Sequence, residues 1–336
     1  MSGRGGATMT TIRDIARHSG TSISSVSRVV NDSGYVGAAT RAKVEASIAA
    51  LGYKPHAGAR SLRSGRSRLI GMLVPTLEVD FFARLADRIE RRLFDAGLQL
   101  LICSTAETVE RETACVATLL AQQIDGVIVA SINGGGAHFA RLQRAVPVVA
   151  LDRPLSGDNV CLVRSDHATG GYQAARHLLD LGHRRVAIIG APFYSAPVEQ
   201  RVAGALQAFE EAALAAPRVV LGEHHDLAAC QALAATCLEA SERPTALLAT
   251  SDIAGIGAIR AAQEIGLKVP DDLSVIGFDD IPAAAYVTPA LTTLAQPIDA
   301  LAEAVVARVL GDAASAGDAI LPVTLVLRST TAPPHL

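Results

Sequence analysis

The feature that most restricts how this sequence can fold is a rhythm that begins at Leu69, where short apolar runs alternate with helical stretches. "RLIGMLVP" reads as a strand, "FFARLADRIERRLFDAG" as a helix and "LQLLICST" as a second strand; "ERETACVATLLAQQ", "IDGVIVAS" and "VPVVALDRP" continue the alternation. Unbroken apolar runs of strand length suit strands buried on both faces, and intervening helices impose parallel pairing. The rhythm restarts with "RRVAIIGAP", a helix over Gln200–Ala215, "RVVLGE", "TALLATSD", a helix from about Gly255, and "LSVIGFDD". Two βα stacks predict an α/β body of two lobes with parallel sheets, and ligands of such sheets bind at the carboxyl ends of the strands.

Those strand ends are polar. Asp152 and Arg153 follow "VVAL", Ser251 and Asp252 follow "ALLAT", and Asp279 and Asp280 follow "VIGF"; Arg201 opens the helix after "IIGAPFYSAPVEQ". Carboxylates facing an arginine across a cleft, with an aromatic such as Phe81 beside them, suit a polyhydroxylated metabolite. Asp252 and Asp280 fit equally well as groups that cap helices or satisfy backbone amides.

The first 68 residues differ in kind. They hold 11 Lys/Arg against 3 Asp/Glu, leaving 19 against 30 for the rest of the chain, so a net +8 head is joined to a −11 body. Such asymmetry points to a polyanion-binding module on a domain with another task. Within "TTIRDIARHSGTSISSVSRVVNDSG", Thr11 and Asp14 have capping-box spacing for a helix over Ile12–Ser19, and Gly20 suits its left-handed end. Ser22 caps a second helix running to about Asn31, and "TRAKVEASIAAL" predicts a third, capped by Thr40 and ending at Gly52. Ile15 and Ala16 meet Val26 and Val30 in a small core, which makes the unit a helix-turn-helix. The outward face of the second helix, Ser22, Ile23, Ser24, Ser25, Ser27 and Arg28, is small or hydrogen-bonding, as a helix lying in a major groove requires.

"TIRDIARHSGTSISSVSRVVN" and "TRAKVEASIAALGYKPHAGARSL" together resemble the head of the lac repressor family of bacterial regulators. "HLLDLGHRRVAIIGAP", "TSDIAGIGAIRAAQEIGLKVPDDLSVIGFDDIP" and "PALTTLAQPIDALAEAVVARVL" resemble that family's sensor, which is similar to periplasmic sugar-binding proteins. The resemblance implies a helix-turn-helix domain over 9–54, a hinge helix and linker over 55–68, and a ligand-binding and dimerisation domain over 69–336. The first lobe would take about 69–163 and 295–328, and the second about 164–294. It also implies base contacts from Ile23, Ser24 and Arg28, and phosphate contacts from Thr11, Ser22, Ser27 and Asn31. In the hinge it implies a minor-groove wedge at Leu62 beside Ala59, flanked by Arg60 and Arg63. For the effector it points to Asp80, Phe81, Asp152, Arg201, Ser251, Asp279 and Gln296. Four departures stand out: Ser251 replaces a common Asn, "TLEVDFF" the more usual Asn-Pro-Phe-Phe pattern, His56 the Asn usual at the hinge start, and Gly58 a larger apolar residue. Gly58 weakens a hinge helix by about 1 kcal/mol relative to Ala.

Other classes of function find less support. "GIGAIR" is a partial dinucleotide fingerprint without its third glycine and follows an acidic "TSD"; "INGGGAHF" lacks the lysine of a phosphate loop. His224 and His225 are adjacent and point apart, and the five cysteines form no C-x-x-C pair, so neither a metal nor another cofactor is expected. A free sugar-binding protein needs an export signal and no basic head, whereas this chain shows neither a signal peptide nor an apolar run of membrane-spanning length. The sequence therefore predicts a cytoplasmic, non-enzymatic repressor. It would bind a near-palindromic double-stranded operator as a homodimer, under control of a small effector and without a membrane partner.

Overall fold

A computed structural model describes residues 10–53, 67–130, 137–157, 159–191, 195–240, 242–312, 315 and 317–335. The hinge residues Ala59, Arg60, Leu62 and Arg63, with His56 and Gly58, lie outside the described residues, as does most of "INGGGAHF". The chain divides into two compact units, Met1–Arg68 and Leu69–Leu336.

In the first unit, helices α1 (Ile12–Ser19), α2 (Ile23–Val30) and α3 (Ala38–Ala50) enclose a core of Ile15, Ala16, Val26, Val29, Val44 and Tyr53. Local chemistry sets the ends of the first two. Thr11 and Asp14 form a reciprocal capping box, Gly20 ends α1 at φ 64°, and the Ser22 hydroxyl accepts from the Ser25 amide. The third helix starts two residues before the expected cap. Thr40 lies inside it, and Gly37, which offers no side chain, is its N-cap. Ala38 and Ala39 favour helix enough to extend it past the position where a hydroxyl could cap.

The second unit contains two six-stranded sheets. The first is built from β1 (Leu69–Val74), β2 (Gln99–Ser104), β3 (Gly126–Val129), β4 (Val148–Leu151), β5 (Val160–Ser165) and β11 (Ala319–Leu321), in the spatial order β11-β5-β4-β3-β1-β2, with every neighbour parallel. The second is built from β6 (Val186–Gly190), β7 (Arg218–Leu221), β8 (Ala246–Ala249), β9 (Ser274–Asp279), β10 (Thr292–Ala295) and β12 (Thr324–Val326), in the order β12-β10-β9-β8-β6-β7. Only β12 runs antiparallel to its neighbour. Each sheet repeats the doubly wound order in which the strand path reverses beside the first strand, and that reversal opens a crevice at the carboxyl ends.

Helices cover both faces. The first sheet carries α4 (Asp80–Asp95), α5 (Val109–Ala121), α6 (Phe139–Ala145) and α12 (Ile298–Val309); the second carries α7 (His167–Asp180), α8 (Ala196–Glu211), α9 (Leu227–Leu238) and α10 (Asp252–Glu264), with the short α11 (Pro282–Tyr286) after β9. The cores are mainly aliphatic, as a chain without Trp and with 4% aromatic residues requires, with Phe81, Phe139, Phe209 and Phe278 buried among them. Among the described residues no helix is long and apolar enough to cross a membrane.

The polypeptide passes between the lobes three times: after β5, after β10, and between β11 and β12. The last passage corrects the expected lobe boundary. Residues 324–326, assigned from sequence to the first lobe, pair with β10 in the second sheet, and Ser329 continues that association by donating to the Ala290 carbonyl at 2.9 Å. Helix α8 also begins four residues before its expected start, with Pro197 in its first turn, so Arg201 sits in its second turn rather than opening it.

Candidate effector cleft and DNA-binding face

Between the two sheets lies a cavity of about 140 Å³. Its walls come from strand ends: Pro75 and Thr76 follow β1, Glu107 follows β2, Ala130 follows β3, and Asp152 and Arg153 follow β4. From the other lobe come Ala191 after β6, His225 after β7, Thr250 and Ser251 after β8, and Asp279 at the end of β9, with Gln296 where β10 leaves its sheet. Phe81 and Phe82, packed edge-on at 5.3 Å, form an apolar wall on α4, and Pro197 and Val198 face it from α8.

Several of these strand ends bend sharply. Glu107, Asp152 and Asp279 have φ of 60°, 59° and 116°. Such angles are uncommon outside glycine, and Asp tolerates them better than most residues.

Arg201 is the centre of the polar floor. It is buried and stacks 3.7 Å above the Phe278 ring. Its Nη1 donates to the Thr250 carbonyl at 2.5 Å, its Nε donates to His167 Nδ1 at 3.3 Å, and its Nη2 lies 3.2 Å from Asp279. Asp279 also accepts from the Gln296 amide at 2.7 Å, and Gln296 accepts from Ser165 at 2.7 Å. His167 is fully buried and hydrogen-bonds Asp152 at 2.9 Å through Nε2. Each buried charge therefore has partners, the condition under which such groups persist.

Two glycines bring these residues together. A Cβ on Gly171 of α7 would overlap the Arg201 carbonyl, and one on Gly204 of α8 would overlap the Ala168 carbonyl. The helices touch backbone to backbone only because both positions lack side chains, and that contact carries Arg201 to His167.

Of the seven effector-facing residues read from sequence, Phe81, Asp152, Arg201, Ser251, Asp279 and Gln296 line the cavity. Asp80 does not. Its carboxylate lies 3.9 Å from Arg84, whose guanidinium reaches across to donate to the Asp280 carbonyl at 2.8 Å. Asp252 and Asp280 have structural partners: Asp252 is fully buried, accepting from the Ile281 amide and the Thr293 hydroxyl, and Asp280 pairs with Arg328 at 2.6 Å. Burial, reinforced by Asp279, pushes the Asp252 carboxyl up to about 8.

Sequence reasoning missed two residues that line the cleft and a third that is buried behind them. Thr250 Oγ1 is buried without a hydrogen-bond partner. His225 hydrogen-bonds Ser251 at 2.8 Å, and burial holds its imidazole below the ordinary range against the opposing pull of Asp279. His167 is the third, also held low by burial. For Thr250 and His225, their positions after β8 and β7 were the available signal, since residues that follow strand ends in this fold face the cleft.

In the head, Ser22, Ile23, Ser24 and Arg28 share an exposed face, with Ile23 52% accessible despite being apolar. Thr11 and Ser22 spend their hydroxyls on caps, and Asn31 donates to the Ser27 carbonyl at 2.6 Å.

An exposed helix-turn-helix face and a two-lobed cleft on one chain define a ligand-responsive, DNA-binding transcriptional regulator. Known proteins agree. Residues 11–56 match the model of bacterial regulatory proteins of the lacI family, and 175–331 match a periplasmic binding protein-like domain. The HTH-type transcriptional repressor PurR of Escherichia coli O1:K1 / APEC is 35% identical over 300 residues, 88% of each chain. The lac repressor dimer bound to operator and the anti-inducer ONPF superimposes with a TM-score of 0.87 at 30% identity, over 97% of this chain and 100% of that one. A LacI family transcriptional regulator from Enterococcus faecium with bound ribose gives 0.72 at 27% identity, over 79% of this chain and 99% of that one. The chain belongs to the lacI family of bacterial regulatory proteins, and it is a sequence-specific regulator rather than an enzyme.

Proposed function

We propose that this protein is a cytoplasmic repressor that binds a near-palindromic operator as a homodimer, its affinity set by a sugar or related polyhydroxylated compound in the cleft. The observation that carries the effector reading is the polar floor, where Asp152, Arg201, Asp279 and Gln296 are fixed by one another opposite the apolar wall of Phe81 and Phe82. Carboxylates and a guanidinium held in place recognise hydroxyl groups, and an apolar wall covers a ring face. The ribose-bound relative supports the same class.

In this reading residues 9–54 are the DNA-binding domain, 55–68 the hinge and 69–336 the sensor. Ile23, Ser24 and Arg28 read bases, while Thr11, Ser22, Ser27 and Asn31 anchor to phosphates. Ala59, Arg60, Leu62 and Arg63 serve the minor groove. Two heads on one dimer match two half-sites.

The test starts from a duplex selected out of a randomised pool by the full-length protein. Selection should yield a near-palindrome whose affinity falls steeply with salt. A panel of sugars and polyols should then contain a compound that raises the melting temperature and changes duplex affinity about 5–150-fold, the usual range of allosteric coupling. Binding without sequence preference overturns the operator reading. A panel in which only compounds of other classes stabilise the protein overturns the effector class.

A further inference from the structure

Buried against two residues that line the cleft is a group to which the effector reading gives no role. His167 begins α7, two residues after β5 has carried the chain out of the first lobe. It has no solvent exposure, yet both ring nitrogens are engaged, one toward each lobe. Nε2 lies 2.9 Å from the carboxylate of Asp152, at the end of β4 in the first sheet. Nδ1 lies 3.3 Å from Nε of Arg201, on α8 of the second lobe.

The chemistry of the partners fixes the ring. A guanidinium only donates and a carboxylate only accepts, so Nδ1 is bare and Nε2 carries the proton. The other groups facing the ring are Asp279 and the Phe278 ring at 5.9 Å, both from β9. On its own element, Asp166 is occupied in capping α7 through Thr169.

We propose that His167 is the positioning residue of this cleft: one neutral imidazole fixes the carboxylate of Asp152, from the first lobe, and the guanidinium of Arg201, from the second, at the spacing an effector meets. The proposal rests on reading the cleft as the effector site. A charged ring cannot do this work, because its Nδ1–H would point at the Arg201 N–H and set two cations side by side. Burial favours the neutral form for the same ring. Without the imidazole, Asp152 loses its link to the second lobe, and Arg201 keeps Asp279 and Thr250 but loses its tie to the first.

Two measurements on the full-length protein test this without any effector. Nitrogen NMR of histidine-labelled protein should show one ring, lost in His167→Gln, with a protonated Nε2 and a bare Nδ1 from pH 8 down to pH 6. The opposite tautomer, or a protonated ring at pH 7, overturns the proposal.

Hydrogen exchange at pH 7 then compares three variants. His167→Gln keeps a donor where Nε2 stood, His167→Asn keeps an acceptor where Nδ1 stood, and His167→Leu keeps neither. Loss of one buried hydrogen bond should speed exchange about tenfold in the segment it anchors. We expect faster exchange after β4 in the Asn variant, around Arg201 in the Gln variant, and at both in the Leu variant. A merely structural histidine would give Gln and Asn variants that behave alike, with changes confined to α7, and that result overturns the proposal. If the Leu variant fails to fold, the Gln–Asn contrast still decides. Failure here leaves the sugar and polyol panel untouched, and failure of that panel leaves the tautomer and exchange patterns standing.

Discussion

The two lobes share a strand order and turn the same strand ends toward the same cleft, yet they contribute different chemistry. The first offers mainly an apolar cover, made by Val79, Phe81, Phe82, Ala130 and Leu151, with Asp152, Arg153 and Glu107 at its edge. The second offers the grip: Arg201, His225, Thr250, Ser251 and Asp279. Sheet topology decides where a ligand goes, and the residue types at the strand ends decide what each wall does with it. The polar wall is also the more interlocked one, because buried polar groups must satisfy each other when no ligand is present.

That contrast can be broken experimentally, most sharply at Arg201. Arg201→Ala strands Asp279 and the Thr250 carbonyl in a buried site, and should cost about 3–5 kcal/mol in urea unfolding. A loss below about 1 kcal/mol would show that the second lobe's polar floor is not interlocked. Next in size, Gly171→Ala forces α7 away from α8 and should cost about 1–3 kcal/mol, with weaker effector response because Arg201 moves from His167.

Asp252→Asn probes the same lobe through pH. The folded protein holds this carboxyl at about 8, above the ordinary 3.8, so it keeps a proton that the unfolded chain releases at neutral pH. Its contribution is complete below about pH 4 and is lost as pH rises through 8, with a slope of about 1 kcal/mol per pH unit. The variant should flatten that decline in thermal melts between pH 6 and 8. His167 and His225 act in the opposite sense: their folded imidazoles are held low, so stability falls as pH drops below the ordinary 6.5.

The smallest stability effect belongs to the first lobe. Phe82→Ala removes a half-buried ring and should cost roughly 1 kcal/mol or less, while effector affinity, read by calorimetry, falls by at least tenfold. Equal losses of stability and affinity would erase the distinction between cover and grip.

What could be read from the residues alone follows the range of the interactions involved. Helices α1 and α2 were legible to within a residue because their caps are local: Thr11 with Asp14, Gly20, and Ser22 with Ser25. The start of helix α3 was misread by three residues because the hydroxyl of Thr40 suggested a cap that the alanines before it overrode. The strands of both sheets were visible as apolar runs, and Asp152, Arg201, Ser251 and Asp279 as the polar groups that end them or sit close by; Phe81 stood out as the aromatic beside them, and Gln296 came from the family resemblance.

His167 was not visible, since its role depends on α7 and α8 meeting at Gly171 and Gly204, far apart in sequence. Asp80 stands next to Phe81 in sequence, yet one step around α4 turns it from the cavity toward Arg84. The destination of β12 depends on an antiparallel pairing with β10, which nothing in "PVTLVLR" announces.

The three passages between the lobes also order events during synthesis. The first sheet waits for β11 and the second for β12, strands that lie within eight residues of each other and follow all the others. A ribosome that has delivered β1 to β10 has therefore delivered neither sheet whole. The edges beside β5 and β10 stay open until those last strands arrive, and unpaired edges are where chains pair wrongly. A nascent chain of this kind gains from making β11 and β12 soon after β10, and a stop codon placed before β11 would damage both lobes at once.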